Sequence, residues 1–475
     1  MLVGVFLLSD RRRMSMNTTD RTANSFLTGP ILPPLLQFAL PLMLSQLLQA
    51  FYGGVDLMVV GRYSSTASVS AVATGSQIMQ TLTVLITGLT MGVTVLVGKA
   101  VGAGDRDRAG RVVAGQIRLF ALAAVVLTAA MLTLTPAIVR VMNVPAEAVP
   151  ETLRYVRICS GGIIFITAYN GISGIFRGLG NSRSPFLFVS IACLVNVALD
   201  LVFVAGLGLN AAGAALATVI AQAASVVFSL VYMGRHPLPF SVRDQWHRGT
   251  AAMGRILRLG APIALQDFLT SLSFLIITSI VNTLGVVASA GVGISEKLFI
   301  FLSIVPMSFM SALSAFVAQN MGAGQKKRAE EALFAAQKVS ICFGAAMFLL
   351  TCFGGGLLAS LFTNDPAVIT ATAQYLRGGS VENLLNAMIF CLLGYFNGRE
   401  HTTFVMAQGI FAAFLVRIPL SYFLSRLPDT GMFLISLAIP ATAMVSLVLC
   451  AGYLVLLRRK DRRTGAETVP DMSDL

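Results

Sequence analysis

Residues 97–111 read VGKAVGAGDRDRAGR, and 220 positions later residues 317–331 read VAQNMGAGQKKRAEE. Gly102-Ala103-Gly104 returns as Gly322-Ala323-Gly324, and Arg108-Ala109 as Arg328-Ala329. Outward from these blocks, Pro41 in FALPLML answers Pro262 in LGAPIAL. Phe176-Arg177-Gly178 likewise answers Phe396-Asn397-Gly398. Each copy lies among long apolar segments, so the chain reads as two related helical bundles in tandem. Duplicated bundles with a cleft between them are a common way to build a secondary transporter.

The composition supports a membrane protein. Of 475 residues, 56% are hydrophobic and only 12% charged, about half the charged share of a soluble domain. The pattern predicts an all-α polytopic membrane protein with twelve spans, near 34–61, 67–97, 112–139, 155–178, 185–207, 211–233, 257–284, 288–318, 333–361, 375–397, 402–425 and 431–457. These runs are too long, and alternate too little, for barrel strands. The net charge of +13 is distributed as topology requires and calls for no nucleic acid. Arg11, Arg12, Arg13 and Arg21, the loop residues Lys99, Arg106, Arg108 and Arg111, Lys326 to Arg328, and the run Arg458 to Arg463 fall on one side. The opposite side offers little beyond Arg62, Arg140 and Arg426, with Arg154, Arg157 and Arg377 near span entrances. By the positive-inside rule both termini are expected in the cytoplasm.

Five segments follow: a cytoplasmic N-terminal stretch 1–30, an N-lobe 31–233, a cytoplasmic linker 234–256, a C-lobe 257–457 and a cytoplasmic tail 458–475. The linker region, GRHPLPFSVRDQWHRGTAAMGRILR, carries Pro237, Pro239 and the single tryptophan, and its later part reads as a short amphipathic helix on the membrane surface. Residues 461–475 read as a disordered tail, and Met14 or Met16 is as acceptable a start as Met1. The six cysteines lie inside spans without metal-ligand spacing and read as small apolar residues. His236, His247 and His401 all fall in loops, so no intramembrane histidine carries protons. Gly98-Lys99 is followed by Ala100, so no phosphate-binding GxxxxGK[ST] loop exists; neither ATP nor another cofactor is expected, and nothing suggests an enzyme. In each GAG loop the glycines end one helix, and Asp105 or Gln325 begins the next.

Ionisable side chains inside a bilayer are costly and mark function by default. Asp56 lies in span 1, and Asn196 and Asp200 lie four apart on one face of span 5. At about 1.5 Å of rise per residue, Asp56, Asp200 and Thr218 fall roughly 8–11 Å below the same ends of their helices. Two carboxylates, a hydroxyl and an amide at one level would hold a hard cation or share a proton. The plainer alternative is that these groups tie helices together. In the second copy Asp267, Glu296 beside Lys297, Glu382 and the nearby Asn386 are candidates either for lining the cleft or for structure. Arg417 is the exceptional base within a span.

Together these motifs resemble the multidrug and toxic compound extrusion (MATE) family over roughly residues 30–457, in VDLMVVGRY at 55–63, VGKAVGAGDRDRAGR at 97–111, GIFRGLGNSRSP at 174–185 and NVALDLVFVAGLGLNAAGAALATVIAQ at 196–222. The last stretch looks like the DinF-like branch, which pairs an aspartate in helix 1 with Asn-x-x-x-Asp in helix 5 and a threonine in helix 6. The resemblance implies two pseudo-symmetric six-helix lobes within the MOP flippase superfamily. It further implies a proton or sodium site at Asp56, Asn196, Asp200 and Thr218, with Gln49 and Asn170 lining the same cavity. NorM-like members carry acids in helices 7 and 10 where this chain has Thr270 and Asn386, which favours coupling through the N-lobe.

The expected function is H⁺- or Na⁺-coupled antiport of amphiphilic, often cationic drugs or metabolites, by a monomer in a prokaryotic inner membrane. Small molecules and membrane lipid are the only partners implied. A lipid-linked oligosaccharide flippase of the same superfamily is the nearest alternative and would need basic residues in the cleft, for which Arg417 is the candidate. A channel or a non-transporting scaffold would not need paired acids.

Overall fold

The computed structural model describes residues 26–427 and 431–466. The opening arginines Arg11 to Arg13 and Arg21, the candidate starts Met14 and Met16, and the tail beyond 466 lie outside the described residues. The described chain is helical throughout. Its first half contributes α1 (Leu32–Tyr63), α2 (Thr66–Gly102), α3 (Arg106–Val141), α4 (Val149–Gly161), α5 (Ile163–Gly178), α6 (Arg183–Gly206) and α7 (Asn210–Arg235). The second contributes α8 (Thr250–Asn282), α9 (Val286–Gly322), α10 (Lys326–Phe353), α11 (Pro366–Gly379), α12 (Val381–Gly398), α13 (Thr402–Ser425) and α14 (Met432–Arg463). Ten of these are long and apolar enough to cross a membrane singly. The pairs α4–α5 and α11–α12, bent by 48° and 47°, bring the total to as many as twelve.

The boundaries correct three expectations. Helices α2 and α9 run on to Gly102 and Gly322, several residues past the predicted ends at 97 and 318. The later part of the linker is no separate surface helix. From Thr250 onward it forms the first turns of α8, because no proline or glycine pair interrupts the run into residue 257. Before it, Trp246–Arg248 makes one tight turn and Arg118 stacks on the Trp246 ring at 4.6 Å. Residues 461–466, expected to be disordered, are instead helical and carry the last helix three residues past the apolar span α14, to Ala466.

By backbone contacts the chain forms two compact units. One comprises the chain up to Phe268 with Met307–Ala336 and Gly394–Thr403, and the other Leu269–Pro306, Gln337–Leu393 and the chain from Phe404. The first unit contains both GAG loops, and the duplication is visible there bond by bond. Thr94 Oγ1 donates to the Gly174 carbonyl at 3.1 Å, and 220 residues on Ser314 Oγ donates to the Gly394 carbonyl at 3.2 Å. Asp105 Oδ1 accepts from the Arg108 amide at 2.8 Å and caps α3, a contact worth about 1 kcal/mol. Gly104 and Gly324, at φ +69° and +75°, supply the left-handed turns that end α2 and α9.

The copies also interlock. A Cβ on Gly102 would lie 1.9 Å from the Gln319 carbonyl oxygen, and a Cβ on Gly322 would lie 2.0 Å from that of Lys99. Only glycine permits this crossing of α2 and α9. Beside it, Lys99 Nζ donates to Glu400 Oε1 at 2.7 Å in the second copy's α12–α13 connection. At the corresponding position Gln319 Nε2 donates to the Gly178 carbonyl at 2.8 Å, where α5 of the first copy ends. Farther along α2, Gly88 and Gly92 meet Gly260 and Ala264 of α8 at separations a side chain would close, the small-residue spacing by which membrane helices approach. The segment before α1 is held too, since Arg328 donates to the carbonyls of Phe26, Thr28 and Gly29. Phe26 is buried against Phe38 and Phe316.

Gly102→Ala is therefore expected to destabilise the protein by about 1–3 kcal/mol through overpacking. Gly254→Ala, on an open face of α8, should raise stability by about 0.5–1 kcal/mol. Thermal unfolding of both variants in detergent checks the contrast.

Candidate functional site

Helices α1, α6 and α7 pack on one another, and the acidic residues of the first copy meet at that junction. Asp56 and Asp200 are 6% and 0% exposed, and Asn196 is 2% exposed. Thr218 donates its hydroxyl to the Ala214 carbonyl at 3.0 Å and approaches Asp56 Oδ2 at 3.4 Å. Asp200 and Asn196 also face the Asp56 carboxyl. The four residues singled out in the sequence thus come together.

The local backbone explains how α6 aims its pair. Asn196 and Asp200 share a face in regular α-helix, and the helix then loosens into a π-helical turn over Leu201–Gly206, a distortion often found at functional positions. Left without a hydrogen-bond partner are Asp56 Oδ1, both Asp200 carboxylate oxygens and both polar atoms of the Asn196 amide. Five such atoms in one buried pocket are costly unless something neutralises them. No group of three or more His, Cys, Asp and Glu side chains among the described residues offers a conventional metal centre. The donors here are oxygens from two carboxylates, an amide and a hydroxyl. That set suits a proton shared between carboxylates or a small hard cation.

Sequence reading missed the second layer. Tyr52, one turn before Asp56, lies beside Gln222 of α7, while Tyr155 and Cys159 of α4 lie close to each other and to Asp56. The i, i+4 spacing of Tyr52 and Asp56 is the signal that pointed to it, but an aromatic at that spacing is usually packing. Gln49 is exposed on α1. Asn170 is half-buried and donates to the Ile166 carbonyl of its own helix at 2.9 Å. Neither touches the acidic cluster through a described bond.

The second unit treats its charges differently. Glu296 accepts from Thr278 at 2.9 Å, while the neighbouring Lys297 is exposed. Glu382 lies 3.6 Å from Arg417, with both side chains nearly buried, and reaches Asn386. The Arg417 guanidinium also sits over the Phe274 ring, 4.7 Å from its centre. It ends a π-helical turn, Phe411–Arg417, in α13. Arg417 is thus an ion-paired residue within its own unit. Asp267 is half-buried on α8 and belongs to the first unit.

With this geometry in hand, comparison with known proteins is informative. The MatE family model matches residues 41–202 and again 262–423, the two copies read from the sequence. The chain is 28% identical over 437 residues to the probable multidrug resistance protein YoeA of Bacillus subtilis (strain 168), covering 90% of this chain and 94% of the relative. It is 27% identical over 414 residues to YpnP of the same organism, also a probable multidrug resistance protein, covering 86% and 90%. A solved multidrug resistance MATE transporter of the MOP superfamily in an outward-facing conformation superposes with a TM-score of 0.86 at 21% identity, covering 94% of this chain and 98% of that one. A MOP superfamily transporter from Pyrococcus furiosus Vc1 (DSM3638) gives 0.84 at 20% identity, covering 92% and 97%. At such identities the structures establish the MATE fold.

Removing one partner of the second-unit pair is expected to strand a buried charge. Glu382→Gln should lower stability by about 3–5 kcal/mol, and the double change Glu382→Leu with Arg417→Met should recover most of it. Detergent-phase unfolding of the three proteins measures the difference.

Proposed function

The chain belongs to the MatE family, and from that membership we propose that it is a cation-coupled antiporter exporting amphiphilic drugs or metabolites. The observation that carries this reading is the buried meeting of Asp56 with Asp200, Asn196 and Thr218, whose carboxylates have no cationic side chain among their described partners. The buried carboxylate of the second unit, Glu382, has Arg417 beside it. The first cluster therefore calls for an exchangeable counter-ion. H⁺ or Na⁺ would neutralise it, with Asp56 and Asp200 as the principal ligands and Asn196 and Thr218 as neutral oxygen donors.

In this mechanism the two lobes, 31–233 and 257–457, alternate access between the membrane faces. An external cation enters the Asp56–Asp200 cluster, changes its charge and hydrogen bonding, and weakens substrate held by the same lobe. Coupling follows from the different affinity of the ion for the two states. The asymmetry of arginine and lysine between the two sides supports cytoplasmic termini. The Asn-x-x-x-Asp in α6 with a threonine in α7 supports the DinF-like branch. The multidrug resistance relatives support drug-like, amphiphilic substrates. The pairing of Arg417 with Glu382 removes the free base that a lipid-linked oligosaccharide flippase would use for pyrophosphate, and so favours the exporter.

Asp56→Asn and Asp200→Asn are each expected to reduce efflux to the level of empty liposomes while the protein still inserts and elutes as a single species. The test is efflux of a fluorescent cationic dye from proteoliposomes under a pH gradient or a Na⁺ gradient imposed separately. Efflux under one gradient, lost in both variants, identifies the ion; unchanged efflux in either variant removes that residue from the mechanism.

A further inference from the structure

The ion pair between Lys99 and Glu400 joins the two copies of the repeat beside the Gly102–Gly322 crossing. We propose that it is a latch: it holds this face of the molecule shut, and it breaks when the face opens during transport. The inference rests on the alternating-access reading above, in whose topology this face is the cytoplasmic one.

The two copies differ here in one instructive way. A shift of 220 residues carries Lys99 onto Gln319 and Gly180 onto Glu400. Gly180 and Glu400 close the same helix-ending turn. In the first copy Asn181 N donates to the Phe176 carbonyl at 2.8 Å and Gly180 N to that of Arg177 at 3.0 Å. In the second, His401 N donates to the Phe396 carbonyl at 2.9 Å and Glu400 N to that of Asn397 at 3.0 Å. Such a turn needs a left-handed residue, ordinarily glycine. Gly180 meets that need at φ +80°, whereas the second copy places Glu400 there at φ +67°. The other non-glycine residues with positive φ among those described are Asn143 and Asn210, and asparagine tolerates the conformation. Glutamate has no such local compensation, and backbone strain of this kind gathers at switch regions. What Glu400 gains is Lys99, whose Nζ lies 2.7 Å from its carboxylate. In the first copy the matching contact is neutral. A Cβ on Gly180 would lie 3.2 Å from Gln319 Nε2, and Gln319 bonds the Gly178 carbonyl. One of two equivalent contacts between the copies has thus become an ion pair despite the strain.

The strength of the pair suits a contact remade in every cycle. The side chains of Lys99 and Glu400 are 32% and 30% exposed. A pair this open to water adds modestly to stability, whereas removing one partner of a buried pair is strongly destabilising. The neighbouring glycine crossing brings the backbones together, so the ion pair biases the closed state and does not hold up the fold. Lys99 belongs to lobe 31–233 and Glu400 to lobe 257–457, and alternation of those lobes separates them.

The test is hydrogen–deuterium exchange of the full chain in lipid nanodiscs, read by mass spectrometry over peptides covering residues 97–106 and 317–326, together with thermal unfolding. Glu400→Gly removes the carboxylate and installs the residue the turn prefers. Lys99→Met keeps the apolar stem and removes the charge. Each is expected to raise exchange in both loops about 1.5- to fivefold, the weight of an exposed ion pair, and Glu400→Gly should not lower the melting temperature. The double change Lys99→Glu with Glu400→Lys should return exchange to the wild-type level. The proposal is overturned if neither single variant changes loop exchange, or if the double change fails to restore it. It is also overturned if faster exchange in Glu400→Gly comes with a lower melting temperature, the mark of a purely structural staple. Amide exchange needs neither substrate nor ion gradient, so a failed latch is distinguished from a failed antiport reading, which the efflux of Asp56→Asn and Asp200→Asn decides.

Discussion

The contact on which the first unit depends is a crossing of two glycines. Gly102 of α2 and Gly322 of α9 each pack against a backbone carbonyl of the other helix, and any Cβ would overlap it. Backbone approaching backbone brings the two GAG loops together, and their neighbours can then reach across: Lys99 to Glu400, and Gln319 to the Gly178 carbonyl. In lipid, helices gain little from burying apolar surface, so close approach and hydrogen bonds must hold them together. The interlock supplies both. It also explains why Met307–Ala336 and Gly394–Thr403, from the second half of the sequence, fold into the unit of the first half.

Duplication gave the two copies the same scaffold and different charges. The hydrogen bond from Thr94 to Gly174 survives as that from Ser314 to Gly394, because it sits where packing permits little change. At the level of the acids the copies diverge. Corresponding helices α6 and α13 both loosen into π-helical turns, next to Asp200 in one and ending at Arg417 in the other. In the first, two carboxylates face an amide and a hydroxyl; in the second, a carboxylate faces a guanidinium. A buried charge must be neutralised. An arginine does so permanently, whereas an exchangeable ion does so only while bound, and the proposed coupling at the first cluster rests on that difference.

Much of this was legible in the chain. The repeat is visible because glycine, proline and basic residues at helix ends are restricted by backbone geometry. The level of Asp56, Asp200 and Thr218 could be counted because helical rise is constant. Other features were not. Lys99 and Gln319 look like ordinary loop-end polar residues until the crossing brings each to the opposite copy. Tyr155 and Cys159 come beside Asp56, and Gln222 beside Tyr52, through contacts between helices, which no local spacing encodes. Arg417 stood out as a base in a span, but its partner Glu382 lies on another helix, 35 residues away.

What the amino-acid sequence by itself determined was the set of membrane-spanning helices, their twofold duplication and the helix face each acid occupies. Those properties follow from apolar length and from the fixed rise and turn of an α-helix. Which side chains meet was decided only by the tertiary structure. The glycine crossing, the Glu382–Arg417 pair and the Lys99–Glu400 pair each depend on how separate helices approach, and that is set by packing across the whole unit.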